Sequence, residues 1–497
     1  MKSKFNILIK NKVFSISAVI LIISSILIFW FTGFFYELIE KVSLWVRSYF
    51  GTFYLWLGLA CVLFLLILAF SKAGKIRLGK SAPEFDKISW IAMLYSAGMG
   101  AGILLRAVQE PVFMLLNPPI KSGESAEIIS LEYTFYQWGF TAWAFYGIFA
   151  VILGYSIFVD KADVRLSSGF PEIRKNRVLP PTIDILTILT TVIGLVAAIG
   201  LGTTQIEGGL SHLESREPGD LTTNLLLVFL ICSLAFISAW AGVHKGIKRI
   251  SNWNIYIALI LMIFVLLTGN IEDIVSNFFT ALYHYIIDFI PLSLAIGKFN
   301  PGIQFLTDWT YYYWAFWLAW APFTGIFIAR ISRGRTLREM ILGVLLIPSV
   351  GSFFWFSVFG TSAFELIESW KSYNDEFGNV FTSMFVFFEA YPVSLLSSLT
   401  VIVLLISFLV TSVDSAIFVL SMFTDHGRQE PKRKYRLAWA VLILLFCEAI
   451  IVLGNVKPDS NVLTAMQKFL IITSLPFAFL SVIIILLFSF KLFRKTT

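Results

Sequence analysis

Apolar side chains in this chain come in long unbroken runs separated by short polar gaps. Twelve such runs, each near the ~20 residues a helix needs to cross a lipid core, fall at 13–35, 52–70, 88–108, 133–158, 183–202, 225–241, 253–268, 309–331, 340–359, 395–423, 437–453 and 469–490. A membrane β-barrel would show alternating segments of ~10 residues instead. The pattern therefore predicts an all-α integral membrane protein with twelve transmembrane helices. The first run is too long for a signal-peptide core, and Tyr36, Glu37 and Leu38 after it offer no small-residue cleavage site, so it is expected to be retained. The stretch 274–290 carries His284 and Asp288 among aromatic residues and predicts an amphipathic helix along the outer surface.

The gaps set the orientation. Placing the N-terminus in the cytoplasm puts 29 Lys and Arg residues on that side and 7 on the other, alternating gap by gap. Both termini are thus expected in the cytoplasm, with the chain multi-pass in the cell's inner (plasma) membrane. Composition agrees: 58% of residues are apolar and 14% charged, against roughly 45–50% and ~25% in soluble domains. The formal charge of +7 resides in the gaps, so it reads as topology and not as a nucleic-acid surface. Cys61, Cys232 and Cys447 lie within apolar runs at spacings that suit neither a disulfide framework nor zinc. The four histidines fall between the runs, which argues against metal-dependent chemistry. An intramembrane enzyme would need a nucleophile beside a base or a metal cluster, and no run contains a histidine, so no enzyme is expected. A channel would show rings of polar or charged residues.

Three features inside the runs carry candidate chemistry. Gly98, Gly100 and Gly102 crowd the third run, where each weakens a helix by ~1 kcal/mol relative to alanine and lets backbone approach a ligand. Five runs later, 320–325 (WAPFTG) is expected to interrupt the eighth. Paired interruptions suggest inverted repeats with a site between them; small residues that simply pack helices are the alternative. Trp138, Trp143 and Tyr146 in the fourth run, and Trp314, Trp317 and Trp320 in the eighth, form aromatic stripes. Stripes commonly mean core or interfacial belt. Facing one another beside broken helices, they would form a box for a cation too large to hydrogen-bond, each ring contributing on the order of 0.5–2 kcal/mol. In the tenth run, Thr411, Ser412 and Asp414 are costly in lipid without partners. The hydroxyls suit a hard oxygen shell for sodium or bond back to their own helix; Asp414 suits a proton carrier or a packing anchor.

From the third run onward, the chain resembles the betaine/choline/carnitine transporter family. The resemblance rests on WTYYYWAFWLAWAPFTGIFIARISRGRTLRE at 309–339, GMGAG at 98–102, Glu110 with Pro111, QWGFTAWAFY at 137–146, GLGTTQ at 200–205 and TSVDS at 411–415. It implies two leading helices followed by two inverted five-helix repeats of the leucine-transporter type. The segments would be 1–86 with the leading helices, 87–273 as the first repeat, 274–305 as the outer amphipathic helix and loop, 306–490 as the second repeat, and a tail at 491–497. A homotrimer is implied as well. So is import of a quaternary-ammonium or related zwitterionic compatible solute of the glycine betaine class, with no cofactor and with Na⁺ as the coupling ion in a symport that serves osmoprotection. Carried over by position, the aromatic box would comprise Trp138, Trp143, Tyr146, Phe316 and Trp317 with Trp320 nearby. Backbone of Gly98, Gly100 and Gly102 would meet the substrate. One sodium site would use Ser96, Met99, Phe408, Thr411 and Ser412, and a second would use Thr191, Tyr146 and Phe323.

The sequence departs from the family at several positions. Leu195 stands where the second sodium site has a threonine, and leucine cannot ligate sodium. Ala101 replaces a branched residue, and Phe316 replaces a tryptophan. Arg106 stands where relatives tend to have an aromatic. It either pairs with Glu110 at i,i+4, or grips the acidic end of a substrate, or supplies the positive charge that a missing sodium would. Osmotically regulated members often carry long basic extensions, so with the short 491–497 tail constitutive activity or control by expression is expected. Proton-coupled choline uptake and sodium-independent exchange of carnitine or betaine are the competing functions.

Overall fold

A computed structural model describes residues 11–98, 100–170, 173, 175–241, 244–425, 427–428, 430–456 and 461–496. The described residues are helical, apart from turns and one isolated antiparallel bridge between Arg77 and Thr336. The principal helices are α1 (Lys12–Trp30), α2 (Thr32–Phe70), α3 (Lys87–Gly98), α4 (Ala101–Arg106), α5 (Gln109–Leu116), α6 (Ala126–Trp138), α7 (Phe140–Phe158) and α8 (Leu179–Leu213). They continue with α9 (Leu221–Ala241), α10 (His244–Thr268), α11 (Ile271–Ile287), α12 (Tyr311–Ile331), α13 (Leu337–Ser369), α14 (Ser394–Thr424), α15 (Arg433–Gly454) and α16 (Val462–Thr496). Ten helices among the described residues are long and apolar enough to cross a membrane, and a bent pair that includes α11 would make eleven. The protein is a multi-pass helical membrane protein.

Two helix boundaries differ from expectation. Residues 36–51, read as a loop, lie inside α2, which is 39 residues long. At ~1.5 Å per residue that is about 58 Å, roughly twice a lipid core. The segment is helical because it is amphipathic: Tyr36, Ile39, Ser43 and Val46 are buried on one side. Its charges find partners, with Glu40 3.0 Å from Lys468 and the Arg47 Nε donating to the Ser43 carbonyl at 3.3 Å.

The second difference concerns 320–325. No interruption occurs there; Pro322 sits inside the continuous helix α12. A proline removes a single donor, and a packed membrane helix tolerates that loss where neighbouring helices enclose it. The paired break predicted from the two halves is therefore absent, and the irregular turn of this region comes earlier, as a π-helical stretch at Leu306–Thr310.

One break falls where the sequence predicts it, at the glycines of 98–102, and others at Gly139 and before Ile271 were not foreseen. The third run stops at Gly98 and restarts at Ala101, with Gly100 in an extended conformation. The fourth divides at Gly139 into α6 and α7. The chain turns by 112° between Thr268 and Ile271, where the Asn270 side chain caps α11 by accepting from the N–H groups of Glu272 and Asp273. Ile274, Phe278, Ala281 and Tyr285 then face inward at helical spacing, while Phe279 and Tyr283 stay exposed. This is the expected amphipathic helix, beginning three residues earlier than read.

In lipid, helices associate by close packing and not by hydrophobic drive. The most extensive helix–helix contact joins α7 to α12. A Cβ placed on Gly325 would stand 2.6 Å from Phe149 Cβ and 2.9 Å from the Ala150 backbone nitrogen. Gly325→Ala is thus expected to force α12 off α7 and cost about 1–3 kcal/mol. Gly100→Ala, whose Cβ meets nothing within 4 Å, serves as the control. Thermal unfolding of the detergent-purified protein should show a lowered midpoint for the first and none for the second.

Candidate substrate-binding site

The break at Gly139 leaves backbone groups without helical partners, and side chains of other elements take them up. The Phe140 N–H donates to the Tyr285 hydroxyl at 2.9 Å. The Trp317 indole N–H donates to the Gln137 carbonyl, in the last turn of α6, at 3.0 Å. That bond spans α6 and α12 and fixes the Trp317 ring. Trp138, the last residue of α6, donates its indole N–H to Glu110 Oε2 at 3.2 Å, and the Tyr313 hydroxyl donates to the same oxygen.

These bonds frame a cavity of about 240 Å³. At ~30 Å³ per water it would hold roughly eight waters, which suits a small solute. Its aromatic wall is built from Trp138, Tyr146, Phe316, Trp317, Trp320 and Phe323. Trp138 and Trp317 meet at 5.1 Å and 70°, and Tyr146 and Trp317 at 6.1 Å and 90°. Perpendicular rings around one space present both faces and edges to it. Gly100 and Gly102 supply the opposite wall, where a Cβ on Gly102 would reach Trp138 at 3.5 Å. Phe408, Thr411 and Ser412 of α14 close the remaining side.

The structure thus gathers most residues singled out from the sequence, and leaves some apart. Trp143 stands behind the wall, edge-on to Tyr146 at 5.3 Å. Trp314 is fully buried against Tyr136 and Phe145 instead of sharing the Trp317 face. At ~100° per residue, three positions rotate a side chain by about 60°, enough to turn it from cavity to core. Gly98 ends α3. Met99 and the Ser96 side chain lie outside the described residues. Thr191 is buried away from the cavity, its hydroxyl donating to the Thr187 carbonyl at 2.8 Å, beside a buried Leu195. Thr411 also bonds back, to the Ser407 and Phe408 carbonyls at 2.9 and 3.1 Å, yet it remains on the cavity wall. Asp414 turns to Ser238 and Arg436, away from the cavity.

Arg106 belongs to a second, larger cavity of about 830 Å³. It makes no ion pair with Glu110 among the described residues. Its guanidinium donates to Gln109 Oε1 at 2.7 Å and lies 4.9 Å from the centre of the Trp309 ring. The i,i+4 spacing leaves the opposite charges of Arg106 and Glu110 near enough to attract one another, but no direct ion pair closes between them, the helical hydrogen bonding being interrupted at Ala107 and Val108.

One polar lining residue escaped the sequence reading. Asn254 of α10 reaches the smaller cavity and accepts from the Ser407 hydroxyl at 2.7 Å. A lone amide in an apolar run was its available signal. Among the described residues, no three His, Cys, Asp or Glu side chains gather to hold a metal ion.

An aromatic cavity amid membrane helices is the arrangement of a solute carrier. The sequence profile described as "BCCT, betaine/carnitine/choline family transporter" matches residues 12–497. The chain is 36% identical to the glycine betaine transporter OpuD of Bacillus subtilis (strain 168), covering 92% of this chain and 88% of that one. It is 31% identical to an ectoine/hydroxyectoine transporter of Virgibacillus pantothenticus, covering 94% of each. Identity is also 31% to the high-affinity choline transport protein of Escherichia coli (strain K12), covering 94% of this chain and 70% of that one. The chain belongs to the betaine/carnitine/choline transporter family, and it is a transporter and not an enzyme.

The ring geometry gives a direct test with a plain onium ion. Trp317→Leu removes a π face and the bond to Gln137, and should weaken tetramethylammonium binding by roughly 2- to 30-fold, the equivalent of ~0.5–2 kcal/mol. Trp317→Phe keeps a ring and should lose less. Calorimetric titration of the purified protein provides the measurement.

Proposed function

We propose that this protein is a secondary active transporter that imports a quaternary-ammonium or related zwitterionic compatible solute by Na⁺-coupled alternating access. The observation that carries this reading is the shared cavity: aromatic rings of α6, α7 and α12 and hydroxyl-bearing residues of α14 line one space. The solute's onium head would sit against Trp138, Tyr146 and Trp317, with Phe316 and Trp320 completing the wall. The relatives' names, which include glycine betaine, ectoine and choline transporters, support the same solute class.

Sodium would bind between α14 and the glycine break, where Thr411 and Ser412 offer hydroxyl oxygens near Phe408; the family resemblance adds Ser96 and Met99 to the set. Thr411 keeps acceptor capacity while its proton is held by the helix carbonyls. The second site is not part of the proposal: Thr191, unlike Thr411, does not line the cavity, and Leu195 has no side-chain oxygen. A single Na⁺ per solute follows. Each ligand would favour the same closed arrangement of α4 against α14, so each would tighten the other.

The full architecture we propose is twelve spans with both termini in the cytoplasm, two leading helices and two five-helix repeats, assembled as a homotrimer in the cell membrane. Family membership and the 29-to-7 distribution of basic residues support it.

Proteoliposomes loaded in K⁺ buffer test the coupling. An inward Na⁺ gradient should drive concentrative uptake of labelled glycine betaine, and replacing external Na⁺ by K⁺ should abolish it. Uptake driven equally by a proton gradient without Na⁺ would point to proton coupling. Uptake that depends only on solute loaded inside would point to exchange.

A further inference from the structure

We propose that Arg106 makes the larger cavity a carboxylate-reading subsite, which selects zwitterions over simple onium cations before they reach the aromatic cavity. The inference rests on the reading of the smaller cavity as an onium site, and adds to it the half of the substrate that the rings do not recognise.

The two cavities meet at α4. Gly102 and Ile103 line the smaller one, and Arg106 lines the larger. Four residues along a helix is roughly 6 Å, so the guanidinium stands about one turn from the aromatic site. A second element also joins them. Phe305, Trp309, Tyr313 and Trp317 recur every four residues along one helix face, their neighbouring rings stacked at 6.1, 6.4 and 5.8 Å. Trp309 opens on the larger cavity and Trp317 on the smaller. Arg106 lies over the Trp309 ring, at the outer end of this column.

Arg106 is only 5% exposed. The other charged residues around its cavity are already engaged. Glu207 is 2.9 Å from Arg216 and accepts from the Gly219 N–H at 2.9 Å. Asp308 accepts from Gln304 at 2.7 Å and lies 4.0 Å from Arg47. Glu110, the nearest carboxylate along the chain, is held by Trp138 and Tyr313. Among the described residues, Arg106 has no ion pair, and Gln109 takes only part of its donor set. A guanidinium so placed favours a planar, bidentate carboxylate. Its fixed charge repels an onium that carries no carboxylate to offset it. A passing carboxylate would exchange with Gln109 on Arg106, leaving the onium end free to follow the ring column inward.

The test titrates purified full-length protein with glycine betaine and with its methyl ester, which keeps the onium and removes the negative charge. The wild type should bind glycine betaine at least about tenfold tighter, as expected of a charged hydrogen bond. Arg106→Gln should bring the two affinities to within about threefold of each other, mainly by weakening glycine betaine, and Arg106→Lys should leave an intermediate preference. An unchanged ratio in Arg106→Gln, or no preference in the wild type, overturns the inference. If Arg106→Gln does not fold, a wild-type ratio in Arg106→Lys overturns it equally. Trp317→Leu should weaken both ligands and preserve their ratio. If Trp317→Leu changes neither, the onium reading of the smaller cavity fails, whatever the Arg106 variants show.

Discussion

A helix broken inside lipid exposes carbonyls and N–H groups that no water will satisfy, so a break survives only where protein encloses it. This constraint organises the centre of the molecule. The Gln137 carbonyl near the Gly139 break is taken by the Trp317 indole, and the Phe140 N–H just beyond it by the Tyr285 hydroxyl. Each repair also positions the side chain that makes it. Trp317 is held with its ring across the cavity because its N–H is spoken for, and the rings of Trp138 and Tyr146 take perpendicular places around it. The aromatic site and the satisfaction of the backbone are thus one structure.

The same economy links the broken third run to the eighth. Glu110 follows the interruption between α4 and α5, and its Oε2 receives both the Trp138 indole and the Tyr313 hydroxyl. A buried carboxylate with two donors on one oxygen ties three elements together at the level between the two cavities. Close packing supplies the rest: Gly325 lets α12 lie against the backbone of α7, which keeps the ring-bearing faces of the two helices in register.

Much of the fold was legible because partition into lipid depends on composition along one dimension. Runs of apolar residues marked the helices, glycine marked the interruption at 98–102, and the aromatic character of 274–290 marked the surface helix. The misreadings share a cause. Residues 36–51 contain charges and looked like a loop, yet Glu40 and Arg47 find partners on distant segments and the helix continues. Pro322 looked like a break, yet the neighbours of α12 hold it straight through. Arg106 and Glu110 had the spacing of an ion pair, and their charges do lie near one another, but the Glu110 Oε2 is taken by Trp138 and Tyr313.

The chemical type of the aromatic site was legible in the sequence, since Trp138, Tyr146 and Trp317 could be named from their aromatic stripes and from the family resemblance. Which rings face the void was a matter for the tertiary structure alone. Trp314 and Trp317 differ by three positions, about 60° of rotation, and only the placement of α7 decides that one is core and the other cavity wall. Arg106 likewise could be recognised as a buried charge in need of a role. That it opens on a separate cavity, over Trp309, depends on where helices remote in sequence come to rest. Chemical type is a local property of the chain, whereas orientation toward a shared space arises from contacts among segments that only folding brings together.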